Sequence, residues 1–187
     1  MDTTQHKKME DNKFAHARYL TTNEDLKRIL QQCETCYKVT QKAELIILSH
    51  QLPQVRIGAT KLTKLAFFIH EQTPNQNVGH WILLCIQLSR DRRCLVIDPL
   101  VNSNRNTMNH IKSFCSANNL APIFFSVPFQ RKNSQNCGYL CLYMLFKFAH
   151  AGIYAIYKMR GTITSNPLHH VEVTMIKKVT KHFRITI

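Results

Sequence analysis

Residues 137–150 read CGYLCLYMLFKFAH, apolar nearly all the way round a helical wheel, with Lys147 as the only Lys, Arg, Asp or Glu among them. A helix that is apolar on every side has to lie inside the molecule, so the rest of the chain is expected to wrap it. Just before it, QRKNSQN is polar, which puts a cysteine where a loop becomes a buried helix. The amino end of a helix carries unpaired N–H groups and partial positive charge, which stabilise a thiolate. Cys137 is thus placed as a nucleophile would be. Whether it acts as one depends on a base, a group to orient that base, and donors for an oxyanion.

Two short apolar runs, WILLCIQL (81–88) and CLVIDPL (94–100), are separated by SRDRR, the pattern of two strands joined by a charged hairpin. Antiparallel pairing places the entry of the first beside the exit of the second, which makes His80 and Asp98 neighbours across the sheet. The polar loop 72–79 follows an apolar segment at 65–69 and delivers His80 to its strand, and 122–130 is a further strand candidate. A first helix is expected over 22–33, where Thr22 and Asp25 form a capping-box pattern and Leu26, Ile29, Leu30 and Cys33 share a face. Ile111, Phe114 and Cys115 have helical spacing. A closing helix over 170–184 turns Ile176, Val179 and Phe183 inward and sets Lys177, Lys181 and Arg184 on another face. Residues 1–13 are polar and expected to be flexible, and 187 residues suit one domain.

Lys and Arg number 25 against 11 acids, a net charge of +14 spread along the sequence. That balance favours a polyanionic partner, and Lys177, Lys181, Arg184, Arg92 and Arg93 are the candidate DNA contacts. The seven cysteines are an odd number and several lie in apolar runs, which suits free thiols in a reducing intracellular compartment. No amino-terminal segment resembles a signal peptide and Lys147 interrupts the longest apolar run, so no membrane partner is expected. Cys33 and Cys36 form a CxxC, but a structural zinc site takes four ligands and no second pair exists. His169 and His170 are the nearest alternative in sequence, and no metal is expected.

His80, Asp98, Gln130 and Cys137 together supply an imidazole, a carboxylate, an amide donor and a thiol, the parts needed for acyl transfer through a thioester. Gln135 competes with Gln130 as the amide donor because it lies closer to Cys137. Singly, each residue has a plainer role, since buried cysteines are usually inert and a histidine after a loop is usually structural. Their joint order is the informative feature.

GHW, then DP at the end of the following strand, then a glutamine seven residues before CG and an apolar helix, resemble the adenovirus-type cysteine proteases (adenain), within the clan of SUMO- and ubiquitin-like-specific proteases. The resemblance spans roughly residues 50–150 of a single domain covering 1–187. It implies a papain-like or adenain-like α+β fold, with a mixed, mostly antiparallel central sheet flanked by helices and the nucleophile at the start of a buried helix. By the same resemblance Cys137 is the nucleophile, His80 its base, Asp98 the group that orients the base and Gln130 the oxyanion donor. Trp81 is expected to pack in the core beside the histidine and Gly79 to relieve the turn into the strand, while the resemblance offers both as borders of the substrate groove. Asp98 is a departure, because adenoviral enzymes carry glutamate there and the SUMO-protease branch commonly carries aspartate.

The implied function is a viral or virus-like endopeptidase that processes capsid and core precursors in the host nucleus and virion. Its chemistry needs no cofactor. Activation by DNA and by a viral peptide is implied as well, with Cys115 in roughly the region where a peptide could be held by a disulfide. Removal of SUMO-like tags is the alternative, and a non-catalytic basic DNA-binding or packaging protein is the third reading.

Overall fold

The computed structural model describes residues 22–42, 44–71, 79–89 and 91–185. The expectations for 1–13, for most of the 72–79 loop and for Arg90 lie outside these residues.

The run after His80 forms strand β3 (His80–Gln87), in which every residue between the two ends is buried. A strand with no polar face needs cover on both sides. Trp81, Leu83 and Cys85 point into one cluster with Leu140, Met144 and Phe148 of a long helix, α4 (Cys137–Thr164). Ile82, Leu84 and Ile86 point into a second cluster with Ile111 and Phe114 of α3 (Arg105–Ala117). The helix read as central is therefore one of two covering layers, and the sheet lies between them.

Among the described residues the sheet has five strands in the order β1 (Ile46–Leu48), β2 (Lys64–Glu71), β3, β4 (Arg93–Ile97) and β5 (Ala121–Phe125). Its two central pairings, β2 with β3 and β3 with β4, are antiparallel, and the outer pairings are parallel. This is the mixed α+β arrangement expected, with antiparallel pairing confined to the centre. Parallel β4 and β5 require a crossover, which α3 supplies. That helix starts earlier than its apolar residues suggest, because Asn104 caps it by accepting the Thr107 N–H at 2.9 Å.

At the amino-terminal side, Thr22 caps α1 (Asn23–Leu30) by accepting the Asp25 N–H at 3.1 Å. The helix stops short of Cys33, whose extended backbone instead opens a second short helix, α2 (Glu34–Val39). A 3-10 turn (Ser49–Gln54) follows β1 and packs on α3. α5 (Leu168–His182) closes the chain against α4, with Ile176, Val179 and Phe183 buried as expected.

α4 is long and apolar enough by composition to cross a bilayer, yet most of its first half is buried against the sheet and the helix breaks at Gly152. There φ is 74° and ψ −173°, a region open essentially to glycine alone. The Ala149 carbonyl, just before the break, accepts the Lys64 ammonium at 2.6 Å. Gly152→Ala is expected to destabilise the fold by about 1–3 kcal/mol in urea denaturation, and an unchanged midpoint would mean that the break does not depend on glycine.

Candidate active site

The antiparallel register sets the first residue of β3 opposite the last of β2, His80 against Glu71, and pairs Leu83 with Ile97 at the end of β4. Asp98 follows directly, and its Oδ1 meets His80 Nε2 at 2.7 Å. The carboxylate is held from every side. Oδ1 also accepts the Leu100 N–H at 2.9 Å, while Oδ2 accepts the N–H groups of Asn102 and Ser103 and the Ser103 hydroxyl at 2.7–2.8 Å. Burial alone would raise the Asp98 pKa, but the bonds from His80, Ser103 and Leu100 outweigh it and hold the carboxyl well below the usual range.

Cys137 is the first residue of α4, buried, and hydrogen-bonded to the His80 ring. Asp98 occupies Nε2, so Nδ1 is the nitrogen left for the thiol. Burial works against the imidazolium, yet the hydrogen bonds and charges of Asp98 and Cys137 prevail and push His80 up to about 10. The ring is therefore an imidazolium at neutral pH, fixed by a carboxylate on one side and facing sulfur on the other.

Gln130 is buried, with its backbone N–H on the Pro99 carbonyl at 3.1 Å and its Nε2 on the Ser134 carbonyl at 2.7 Å. It thus bridges the turn after Asp98 and the loop before Cys137. One of its two amide hydrogens stays available beyond the Ser134 bond, and its Oε1 is buried without a partner. Gln135, the competing residue, is exposed.

One residue of this region escaped the sequence reading. Glu172, on α5 and fully buried, accepts from the Ser134 hydroxyl, from Asn136 Nδ2 at 3.1 Å and from Arg131 Nε at 2.6 Å. Three residues of the loop before Cys137 are thereby fastened to one carboxylate. The only signal in the sequence was an acid within an otherwise apolar and basic helix. His70 was also missed. It stacks on Trp81 with ring centroids 4.5 Å apart, and burial together with the charge on His80 pushes its pKa down.

Trp81 does not border an open groove. It is 1 % exposed, packed between His70 and Phe68, because the strand turns it toward α4. Gly79 is required by close approach, since a Cβ there would run into the His70 ring. Cys115 is buried against Cys94 and hydrogen-bonded to it, so it is not presented to a peptide thiol.

The basic residues separate into two places. Lys181 and Arg184 line a groove between α4 and α5 together with Lys147 and Lys178, whereas Lys177 is half-buried and not part of that wall. Arg92 and Arg93 lie at the far end of the β3–β4 hairpin from His80. Arg92 is committed to the carbonyls of Asn118 and Asn119 at the end of α3, and Arg93 to Asp91.

No protein-family model matches the sequence, and no curated protein matches it closely enough to count as a relative. Among solved structures the chain is similar to HopZ1a, as seen in a crystal structure with IP6 and CoA, with a TM-score of 0.44 and 10% sequence identity. The match covers 88% of this chain and 55% of that one, so the chain spans about half the length of the structure it matches.

Two outcomes are expected. The His80 pKa is raised on folding from 6.5 to about 10, so its contribution to stability is complete below pH 6.5 and lost as pH rises through about 10. His80→Ala should therefore be destabilised relative to the parent at pH 6.5, with the difference shrinking toward pH 10; a difference that grows with pH would contradict the assignment. Glu172→Gln should lower stability by about 1.5–3 kcal/mol in chemical denaturation, since three donors lose a charged acceptor, and a neutral result would mean that the loop holds itself.

Proposed function

We propose that the protein is a thiol-dependent hydrolase of peptide bonds, an endopeptidase of the adenovirus-protease type. The observation that carries this reading is the His80 ring, hydrogen-bonded through Nε2 to a buried carboxylate and facing the Cys137 sulfur at the mouth of a helix. A carboxylate that fixes the ring and a thiol that shares its proton are what acyl transfer through sulfur requires.

In this reading Cys137 Sγ, its proton held on His80 Nδ1, attacks the scissile carbonyl carbon, and the carbonyl π electrons move onto oxygen. First-turn N–H groups of a helix have no intrahelical partner, and the Cys137 N–H with the second amide hydrogen of Gln130 is suited to receive that oxyanion. The intermediate collapses with cleavage of the C–N bond, and the imidazolium gives its proton to the departing amine. A thioester remains. Water then gives a proton to the neutral His80 ring and its oxygen to the acyl carbon, and collapse breaks the C–S bond, releases the carboxylic acid and restores the Cys137 thiolate beside the His80 imidazolium. Asp98 stays ionised throughout, because its hydrogen bonds favour the anion.

The resemblance in the sequence supplies the finer reading: cleavage near glycine in capsid or core precursors, within the host nucleus and virion, with DNA and a viral peptide as activators. The cationic groove of Lys147, Lys178, Lys181 and Arg184 is the feature that favours contact with DNA. A second reading has one specific observation behind it. Aspartate at position 98 follows the SUMO-protease branch, so removal of a SUMO-like tag is the alternative substrate class.

The test is hydrolysis of a glycine-containing fluorogenic peptide and of a SUMO fusion, each with and without DNA. Cys137→Ala should abolish turnover of whichever substrate is cut, and Gln130→Ala should lower kcat about 10²–10³-fold with less effect on KM. Retention of full activity by Cys137→Ala would overturn the proposal, and cleavage of the SUMO fusion alone would select the second substrate class.

A further inference from the structure

The CxxC of the amino-terminal region acquires two partners from the far end of the chain. Cys33 lies between α1 and α2, His150 just before the break in α4, and His182 at the end of α5. Their sulfur and ring nitrogens all lie within 4.8 Å of one another. Cys36, fully buried one turn along α2, hydrogen-bonds the Cys33 thiol. We propose that Cys33, Cys36, His150 and His182 form a tetrahedral Cys2His2 site for a divalent cation of the zinc class.

The dimensions fit. Zinc–sulfur bonds of about 2.3 Å and zinc–nitrogen bonds of about 2.0–2.1 Å set neighbouring ligand atoms about 3.3–3.8 Å apart in a tetrahedron. For Cys33, His150 and His182, closing from the observed spread is an inward shift of about an ångström, and Cys36, outside that spread but in contact with Cys33, completes the set by turning its thiol toward them. Thiolate and imidazole together select zinc over the oxygen-seeking cations. Charge also favours the full set, because the adjoining groove already carries Lys147, Lys178, Lys181 and Arg184. Two thiolates neutralise the metal and add no positive charge to that wall. The Phe146 ring, with centroids 4.5 Å from His150 and 4.0 Å from His182, packs against both imidazoles and limits their rotation.

The site is structural and separate from Cys137, since His150 lies about 20 Å along α4 at 1.5 Å per residue. It ties the α1–α2 segment to both α4 and α5, three stretches distant in sequence, so metal binding is coupled to the folding of that segment. The inference does not depend on the hydrolytic reading.

The experiment is titration of the full-length, metal-stripped protein with Co²⁺, followed by absorption spectroscopy, and zinc analysis of protein purified without chelator. The expected result is one metal per chain with intense tetrahedral d–d bands and a thiolate charge-transfer band, together with a higher Tm on adding Zn²⁺. His150 and His182 are exposed, so the His150→Ala/His182→Ala double variant should fold yet lose the tetrahedral signature and the thermal shift. Cys36→Ser should lose about half the charge-transfer intensity, as expected for one thiolate of two. A His169→Ala/His170→Ala control should bind as the parent does. Absence of stoichiometric binding by the parent, or a tetrahedral spectrum that survives loss of His150 and His182, would overturn the site.

Discussion

The pairing of β3 with β4 is the constraint on which the rest of the site depends. Matching Leu83 to Ile97 leaves His80 and Asp98 at the same end of the hairpin, and the 2.7 Å contact between them follows from that register. A shift by one residue would exchange the two faces of β3, sending Trp81 and Leu83 toward α3 and separating the histidine from its carboxylate. The two apolar clusters make such a slip costly, because each face of the strand is already matched to a covering helix. Position at the site is thus guaranteed by packing well away from it.

The electrostatics then follow from burial combined with complete pairing. Asp98 has little exposure and would be raised in pKa by burial alone, but its donors reverse the direction. His80 inherits the benefit, since a carboxylate fixed as an anion at Nε2 favours a proton on the ring. The loop that brings Cys137 to this imidazolium is held in turn by Glu172, a buried acid that meets Ser134, Asn136 and Arg131. Two buried carboxylates therefore divide the work, one orienting the histidine and one fastening the approach to the thiol.

Much of this arrangement was legible because it is local. Hairpin charges between two apolar runs placed His80 near Asp98, and the change from QRKNSQN to an apolar helix placed Cys137. What escaped was settled by contacts between distant segments. Nothing near Glu172 in sequence announces the loop it serves, and His150 and His182, which lie beside Cys33 in the folded chain, stand in helices whose sequence pattern reports packing alone. The break at Gly152 was invisible because an isolated glycine is tolerated within a helical pattern; its positive φ is a property of the folded chain. Trp81 could be read either as core or as groove wall, and the direction in which the strand turns it decides for the core.

The central claim is that His80 and Asp98 make Cys137 a reactive thiol unlike the others. Burial raises the pKa of Cys36, Cys85 and Cys141, and the hydrogen bond with Cys115, reinforced by burial, raises that of Cys94; the same bond pulls the Cys115 pKa down, but Cys115 is enclosed at 1 % exposure, so these five are poorly suited to react. The most direct measurement is the alkylation rate of each cysteine at about pH 6, resolved by mass mapping, in the parent and in His80→Ala. Rapid labelling confined to Cys137, collapsing toward the rate of the buried thiols when His80 is removed, is the predicted result. Equal, slow labelling of all seven cysteines, or a Cys137 rate indifferent to His80, would contradict the account.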